Sequence, residues 1–180
     1  MLHRGKCPDF AALAADGIRF AILAATAGRQ EIAPDLFENL SSARRAGIDT
    51  AVYHDLQTGD LAGAAGEARH FLHVLHRLDS PPRWAICRVE SPELPRDRDG
   101  LSRAVQLFLT GIRQGGYSPM LYTTEDFLRD RLSPVGPHEL CLARWSVPEA
   151  RALARNPRIW EYGEGAVGDL PRAVLLKGYF

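Results

Sequence analysis

The chain has 180 residues, and its 22 basic side chains balance 22 acidic ones, so its formal net charge is zero. That balance argues against a surface for nucleic acid or another polyanion. The length and the hydrophobic content of 46% predict one globular domain over residues 1–180. No apolar run reaches the ~18 residues of a membrane span, and none follows the basic N-terminus as in a signal peptide. We therefore expect cytoplasmic synthesis and no membrane partner.

The predicted elements of the first half alternate between helix and strand. In chain order they are a helix over 10–15 capped by Asp9, a strand over 18–26, a helix from Asp35 to about Ala46, a strand over 49–56, and a long helix starting at Gly59-Asp60. Gly17 and Gly47 supply the stops of the first two helices.

The second half continues the alternation. Its predicted elements are a strand over 84–90, a helix marked by Leu101 to Ile112, a strand over 119–123, a helix over 127–132 opened by a capping box at 123–126, and strands over 139–145 and 158–162, the last well-defined one. Strands joined by helices define the α/β class. Because the glycine-rich turn of an open nucleotide-binding sheet is absent, we expect a sheet that closes toward a barrel.

The strand over 84–90 carries the main candidate site. Period-two alternation places Arg88 and Glu90 on one face at its carboxyl end, and active sites of parallel α/β folds lie at that end. Asp55 and Tyr53 share a face at the end of the strand before it.

Metal and cofactor chemistry lack a comparable signal. We interpret Cys87 and Cys141 as buried thiols, because both lie in apolar strands. Three histidines recur at three-residue steps on the long helix, where metal pairs favour a spacing of four: His70, His73 and His76. We expect a solvated or packed helix face there, with no metal and no cofactor.

Several segments together resemble glycoside hydrolase family 25, the Chalaropsis-type lysozymes. Residues 17–28 (GIRFAILAATAG) resemble the family's G-I-x-F-x-x-x-K-A-T-E-G, and residues 116–123 (GYSPMLYT) resemble its G-Y-x-P-x-x-Y-T. Further similar segments are 9–10 (DF), 33–39 (APDLFEN), 46–54 (AGIDTAVYH), 143–145 (ARW) and 160–162 (WEY). The resemblance implies an irregular (β/α) TIM-like barrel that cleaves the β-1,4 bond after N-acetylmuramic acid in peptidoglycan.

The sequence departs from the family at its acidic positions. The family's Asp-x-Glu is Arg88-Val89-Glu90 here, and its late V-D-x-N resembles residues 174–177 (VLLK). The chain begins near where the family's first strand should end, so the resemblance leads us to expect that this strand, with its early aspartate, is truncated or missing. The family's lysine and glutamate of K-A-T-E-G are Ala24 and Ala27. Of the acidic set, Glu90 alone is kept.

Two readings of the site follow. Glycoside hydrolysis normally uses two carboxyls, and a nearby guanidinium holds a carboxyl ionised, so Arg88 removes one acid and is expected to silence Glu90. Alternatively, Glu90 acts as the acid with Asp55, or with the substrate's own acetamide, as the second group. The residues expected to contact a glycan are Tyr53, Arg88, Tyr122, Trp145, Trp160 and Glu161, although core packing of the aromatic ones fits equally well.

The favoured function is a catalytically impaired lysozyme-like barrel. It would bind peptidoglycan or a related glycan, or serve as a structural subunit of an assembly such as a phage particle. Its alternative is an active muramidase. A barrel without its first strand exposes a sheet edge near residues 18–26. We expect a protein partner, the N-terminal arm or self-association to cover that edge.

Overall fold

The computed structural model describes residues 7–136, 138–144, 156–164 and 171–176. Helices and strands alternate along them, which confirms the α/β class. In chain order the elements are α1 (Phe10–Ala15), β1 (Phe20–Ala27), β2 (Glu31–Ile32), α2 (Leu36–Arg45), β3 (Asp49–Asp55), α3 (Leu61–Leu75), β4 (Trp84–Arg88), α4 (Arg98–Gln114), β5 (Ser118–Thr124), α5 (Glu125–Arg131), β6 (Glu139–Ala143), β7 (Ile159–Glu164) and β8 (Pro171–Leu175).

The strands of the described residues form one mixed sheet in the order β2-β1-β3-β4-β5-β6-β7-β8. Every neighbouring pair from β1 to β7 is parallel, while β2 and β8 pair antiparallel at the two ends. Parallel strands bring their carboxyl ends to one edge of the sheet. Asp55 ends β3 and Arg88 ends β4, so both residues lie at that edge.

The core includes the layer between the sheet and the two longest helices. Phe71 of α3 and Phe108 of α4 are fully buried, with ring centroids 6.1 Å apart. Burying a large apolar side chain contributes about 1.5–3 kcal/mol. Both rings also pack on His54 of β3, with centroid distances of 5.5 Å for Phe71 and 4.9 Å for Phe108, so they hold α3 and α4 against the strand that carries Asp55.

The predicted starts of α1, α2 and α3 are confirmed, because Asp9, Asp35 and Asp60 occupy their N-cap positions, whereas the predicted start of α5 is one residue off. Asp9 accepts from the backbone N–H groups of residues 11 and 12, and Asp60 accepts from Gly63 N at 2.8 Å. The side chain of Asp35 makes no capping bond, and its Oδ2 accepts from Asn39 Nδ2 at 2.9 Å. Thr124, not Thr123, caps α5 by accepting from the N–H of residue 127, so the helix begins at Glu125.

The two antiparallel strands, β2 and β8, were not predicted from the sequence. The two residues of β2 are too few for an alternating pattern, and β8 begins with a proline, which favours a strand edge or a loop. The strand that ends near residue 162 is therefore not the last one. Through β2 and the bond from Ala33 N to Ala25 O (2.8 Å), the chain itself covers the carboxyl end of β1. Coverage of the rest of that edge by a partner stays a prediction.

The predicted buried thiols are confirmed, since Cys87 and Cys141 are fully buried and burial raises the pKa of each. Among the residues that the structure describes, no three His, Cys, Asp or Glu side chains lie together as a metal site would require. His70 contacts the backbone oxygen of Glu31 at 3.0 Å, and His76 stacks on Tyr117. Within the same residues, no helix has the length and apolar character needed to cross a membrane.

Candidate functional site

Asp55, Arg88 and Glu90 form a charged cluster at the carboxyl edge of the sheet. Asp55 of β3 is the register partner of Arg88 of β4, and Arg88 is the register partner of Tyr122 of β5. Register partners point to the same face of a sheet, and Glu90 follows Arg88 by two residues. Arg88 and Glu90 were predicted to share one face of the sheet, and the hydrogen bond between their side chains confirms it.

Arg88 binds both carboxylates. Its Nη1 donates to Asp55 Oδ1 at 2.7 Å, and its Nη2 donates to Glu90 Oε1. The guanidinium also lies over two aromatic rings, 5.5 Å from the centroid of Tyr53 and 6.0 Å from that of Tyr122. One cation is thus held between two acids and two ring faces.

Main-chain bonds fix the end of β4. Leu56 N donates to Arg88 O at 3.1 Å, and Val89 N donates to Tyr122 O at 2.9 Å. Thr123 Oγ1 adds a bond of 2.6 Å to Val89 O. Because residues 88 and 89 are held by both neighbouring strands, Glu90 leaves the sheet in a defined direction.

Burial sets the electrostatics of the cluster. Burial raises the pKa of Glu90, the charge and hydrogen bond of Arg88 oppose that rise, and Asp55 and Glu161 add to it. Arg88 lowers the pKa of Glu90, as its charge predicts, but the larger effect of burial makes the net direction upward. For Arg88, burial favours the neutral form, but Asp55 and Glu90 outweigh it and raise the pKa further above its usual range.

A third acid, Glu161, reaches the site from β7. Tyr122 Oη donates to Glu161 Oε1 at 3.0 Å, and Glu161 is buried. Burial, together with Glu161 and Glu90, raises the pKa of Tyr122, which remains a phenol. Glu161 was expected from the sequence to contact a glycan, and its contacts in the structure include the hydroxyl of Tyr122.

The aromatic residues expected to contact a glycan are mostly covered. Tyr53 and Tyr122 are buried beneath Arg88. Trp160 donates from Nε1 to Arg144 O at 2.9 Å, and alternation along β7 turns it to the face opposite Glu161. These contacts favour packing for the three rings. Trp145 lies outside the described residues.

The polar side chains, by contrast, reach solvent. The side chains of Arg88, Glu90 and Asp55 are 18%, 24% and 26% exposed. A guanidinium flanked by carboxylates offers both donors and acceptors of charge-assisted hydrogen bonds. A polyhydroxylated ligand uses both kinds of group, so the chemistry of the cluster suits saccharide binding.

The fold and this edge define the class of protein, an irregular TIM-like barrel built from a curled mixed sheet. A family model described as glycosyl hydrolases family 25 matches residues 3–168. The chain belongs to that family, which confirms the resemblance found in its sequence. A comparison with curated protein sequences gives no match.

Solved structures of similar fold extend this result. A family 25 glycosyl hydrolase from Bacillus anthracis has a TM-score of 0.80 at 15% identity, over 97% of this chain and 85% of that one. The CTP1L endolysin has a TM-score of 0.80 at 20% identity, over 96% and 63%. The Cpl-1 endolysin complexed with a peptidoglycan analogue has a TM-score of 0.75 at 18% identity, over 93% of this chain and 50% of that one. The chain thus spans about two thirds or half of these endolysins, and at such identities the likeness establishes the fold.

Proposed function

We propose that this chain binds peptidoglycan or a related glycan through Asp55, Arg88 and Glu90 without hydrolysing it. The observation that carries the proposal is the position of Arg88, whose guanidinium contacts both carboxylates at once. Family membership and the peptidoglycan analogue bound by Cpl-1 support the ligand class. The likeness to endolysins supports the bacterial cell wall as the place of action.

The chemical argument against hydrolysis concerns the number and state of the acids. Two-carboxyl hydrolysis requires one protonated acid and one free carboxylate that attacks the sugar or activates water. Arg88 stands in the first position of the family's Asp-x-Glu and engages both Asp55 and Glu90. A carboxylate whose oxygen accepts from a guanidinium is a weaker nucleophile and base, because its charge is already neutralised.

One observation favours an active muramidase as the second candidate. The raised pKa of Glu90 is the shift that a general acid needs, and Asp55 lies on the other side of the same guanidinium. In this alternative Arg88 withdraws when substrate binds. Glu90 then protonates the leaving oxygen, and Asp55 or the substrate's acetamide acts as the second group.

The deciding experiment measures binding and cleavage on the same purified peptidoglycan. Co-sedimentation gives the affinity, and release of reducing ends gives the hydrolysis, for the wild type, Glu90→Gln and Arg88→Ala. Arg129→Ala is the matched control, because Arg129 also pairs with two carboxylates, Asp126 at 3.0 Å and Asp130 at 2.6 Å, but lies on exposed α5.

The proposal expects sedimentation of the wild type with no reducing ends released. Arg88→Ala should bind about tenfold more weakly, since a hydrogen bond to a charged group contributes about 1.5–3 kcal/mol. Arg129→Ala should bind as the wild type does. Reducing ends from the wild type that disappear with Glu90→Gln would establish the muramidase instead. Neither binding nor release would overturn both readings and leave an assembly role.

A further inference from the structure

A buried hydrogen-bond network lies behind the site, between β1, β3 and α3. His54 Nδ1 is 2.7 Å from Thr26 Oγ1, and His54 Nε2 is 2.7 Å from Glu67 Oε2. The same Glu67 oxygen accepts from Gln57 N at 3.0 Å. The side chains of all three network partners, Thr26, His54 and Glu67, are almost completely buried.

The donors and acceptors of this network can be assigned. A backbone N–H only donates, so Glu67 Oε2 is an acceptor for Gln57. Burial lowers the pKa of His54 despite the opposing charge of Glu67, which favours a neutral ring. A neutral ring that donates from Nε2 to Glu67 accepts at Nδ1 from the hydroxyl of Thr26. Each of these buried polar groups is then satisfied.

The network brackets Asp55 along the chain. His54 precedes Asp55 and Gln57 follows it by two residues, and one carboxylate oxygen of Glu67 holds both. On either side of β3, Gly28 N donates to Asp55 O at 3.2 Å and Leu56 N donates to Arg88 O. Alternation places the side chains of His54 and Asp55 on opposite faces of β3. Glu67 therefore anchors β3 through His54 on one face of the sheet, next to the point where Asp55 contacts Arg88 on the other face.

We infer that His54 and Glu67 are positioning residues that set the conformation of Asp55 and thereby its bond to Arg88. Loss of the Glu67 carboxylate releases both anchor points beside Asp55. The end of β3 then moves, and the 2.7 Å contact between Asp55 and Arg88 is the first contact of the site to weaken. The effect on glycan affinity rests on the proposed function, whereas the effect on Arg88 does not.

The test reads Arg88 directly by nitrogen-15 NMR of arginine Nε–H groups. Arg88→Lys identifies the Arg88 resonance, and Asp55→Asn gives the shift that accompanies loss of the Asp55 carboxylate. Glu67→Ala and Glu67→Gln are then compared with the wild type. Ser102→Ala is the matched control, because buried Ser102 accepts from Ser133 N at 2.8 Å and its hydrogen bonds do not involve β3 or β4.

We expect Glu67→Ala to move the Arg88 resonance to the position seen in Asp55→Asn, and Glu67→Gln to restore most of the wild-type position. Ser102→Ala should lower the melting temperature and leave the resonance in place. A folded Glu67→Ala whose Arg88 resonance is unchanged would overturn the inference and leave a purely structural network. If Glu67→Ala does not fold, His54→Gln replaces it under the same criteria.

Glycan affinity, measured on the same variants, separates the two proposals. Glu67→Ala should weaken binding by the same factor as Asp55→Asn. A wild type that binds no glycan contradicts the proposed function, while the Arg88 resonance still decides the positioning role.

Discussion

Asp55 and Arg88 are direct partners across β3 and β4, and Arg88 Nη1 lies 2.7 Å from Asp55 Oδ1. By the resemblance to family 25, an aspartate would stand at the position of Arg88. The carboxylates of that aspartate and of Asp55 would repel one another. The arginine converts that repulsion into a cross-strand ion pair. Under the proposed function, the arginine that takes the place of an acid therefore also stabilises the charged forms of Asp55 and Glu90.

Replacing Arg88 by aspartate should restore some hydrolysis. Arg88→Asp recreates Asp-x-Glu at the end of β4, and without the guanidinium the neighbouring carboxylates raise the pKa of Glu90 further, which favours its protonated form. We expect release of reducing ends from peptidoglycan to rise about a hundredfold over the wild-type background, the lower end of the range for an added acid–base group.

The control for this gain is Arg88→Asn, which has the same size as aspartate but no acid. The added change Glu90→Gln should abolish the gain. If folded Arg88→Asp releases no more reducing ends than Arg88→Asn does, Arg88 is not the residue that prevents hydrolysis.

Stability should fall on mild acidification because of His54. Burial lowers the pKa of His54 below its usual 6.5, with Glu67 and Asp55 opposing and His70 reinforcing the shift. As pH falls below 6.5, His54 takes up a proton in the unfolded chain but stays neutral in the folded chain. The free energy of unfolding is therefore greatest above pH 6.5 and decreases as pH falls below that value. The loss is at most about 1.4 kcal/mol per pH unit.

Urea unfolding between pH 8 and 5.5 measures this slope. His54→Gln should flatten it, even though the variant is less stable overall. His138 is the comparison, because burial also lowers its pKa, and Arg113 adds to that shift. If His138→Gln flattens the slope and His54→Gln does not, the assignment to His54 is wrong.

Local periodicity explains how much of the site the sequence predicts. Alternation in β4 places Arg88 and Glu90 together, and the same rule places Asp55 toward them from β3. These relations depend on short-range geometry that any parallel sheet imposes. The sign of the Glu90 shift depends instead on burial by distant elements, so the sequence could not give it.

Glu67 is the functional candidate that sequence reasoning missed. A glutamate in a helix usually faces water, yet Glu67 is three residues after Ala64 and four before Phe71, both fully buried. That spacing is the signal that could have found it. The strands β2 and β8 offered no comparable signal, because each is defined by its antiparallel partner and not by its own pattern.

The rings that pack on His54 should dominate the stability of this region. Phe71 is fully buried, and its centroid lies 5.5 Å from that of His54. Phe71→Ala leaves a cavity and should reduce the free energy of unfolding by about 3–5 kcal/mol. Phe37→Ala is the control. Because Phe37 is 52% exposed, its replacement should change the free energy of unfolding by less than about 0.5 kcal/mol. Similar losses at both positions, measured by urea unfolding, would contradict the observed packing.

Removal of Arg88 should destabilise the chain in a pH-dependent way. Arg88→Ala leaves the carboxylates of Asp55 and Glu90 without their cation, and partial exposure limits the cost to about 1–3 kcal/mol at pH 7. Burial already raises the pKa of Glu90 above its usual 4.5, and loss of Arg88 raises it further. A raised carboxyl pKa means that the folded chain binds the proton more readily, so the deficit should shrink as pH falls toward 4.5.

Urea unfolding of the wild type and Arg88→Ala at pH 7, 6 and 5 measures this deficit. The double variant with Glu90→Gln should lose most of the pH dependence, because its side chain carries no proton to titrate. Arg129→Ala, which breaks an exposed pair with Asp126 and Asp130, should destabilise the chain much less than Arg88→Ala does, because solvent screens that pair. A deficit for Arg88→Ala that stays constant from pH 7 to 5 would mean that Glu90 titrates independently of Arg88, and the coupling between them would have to be abandoned.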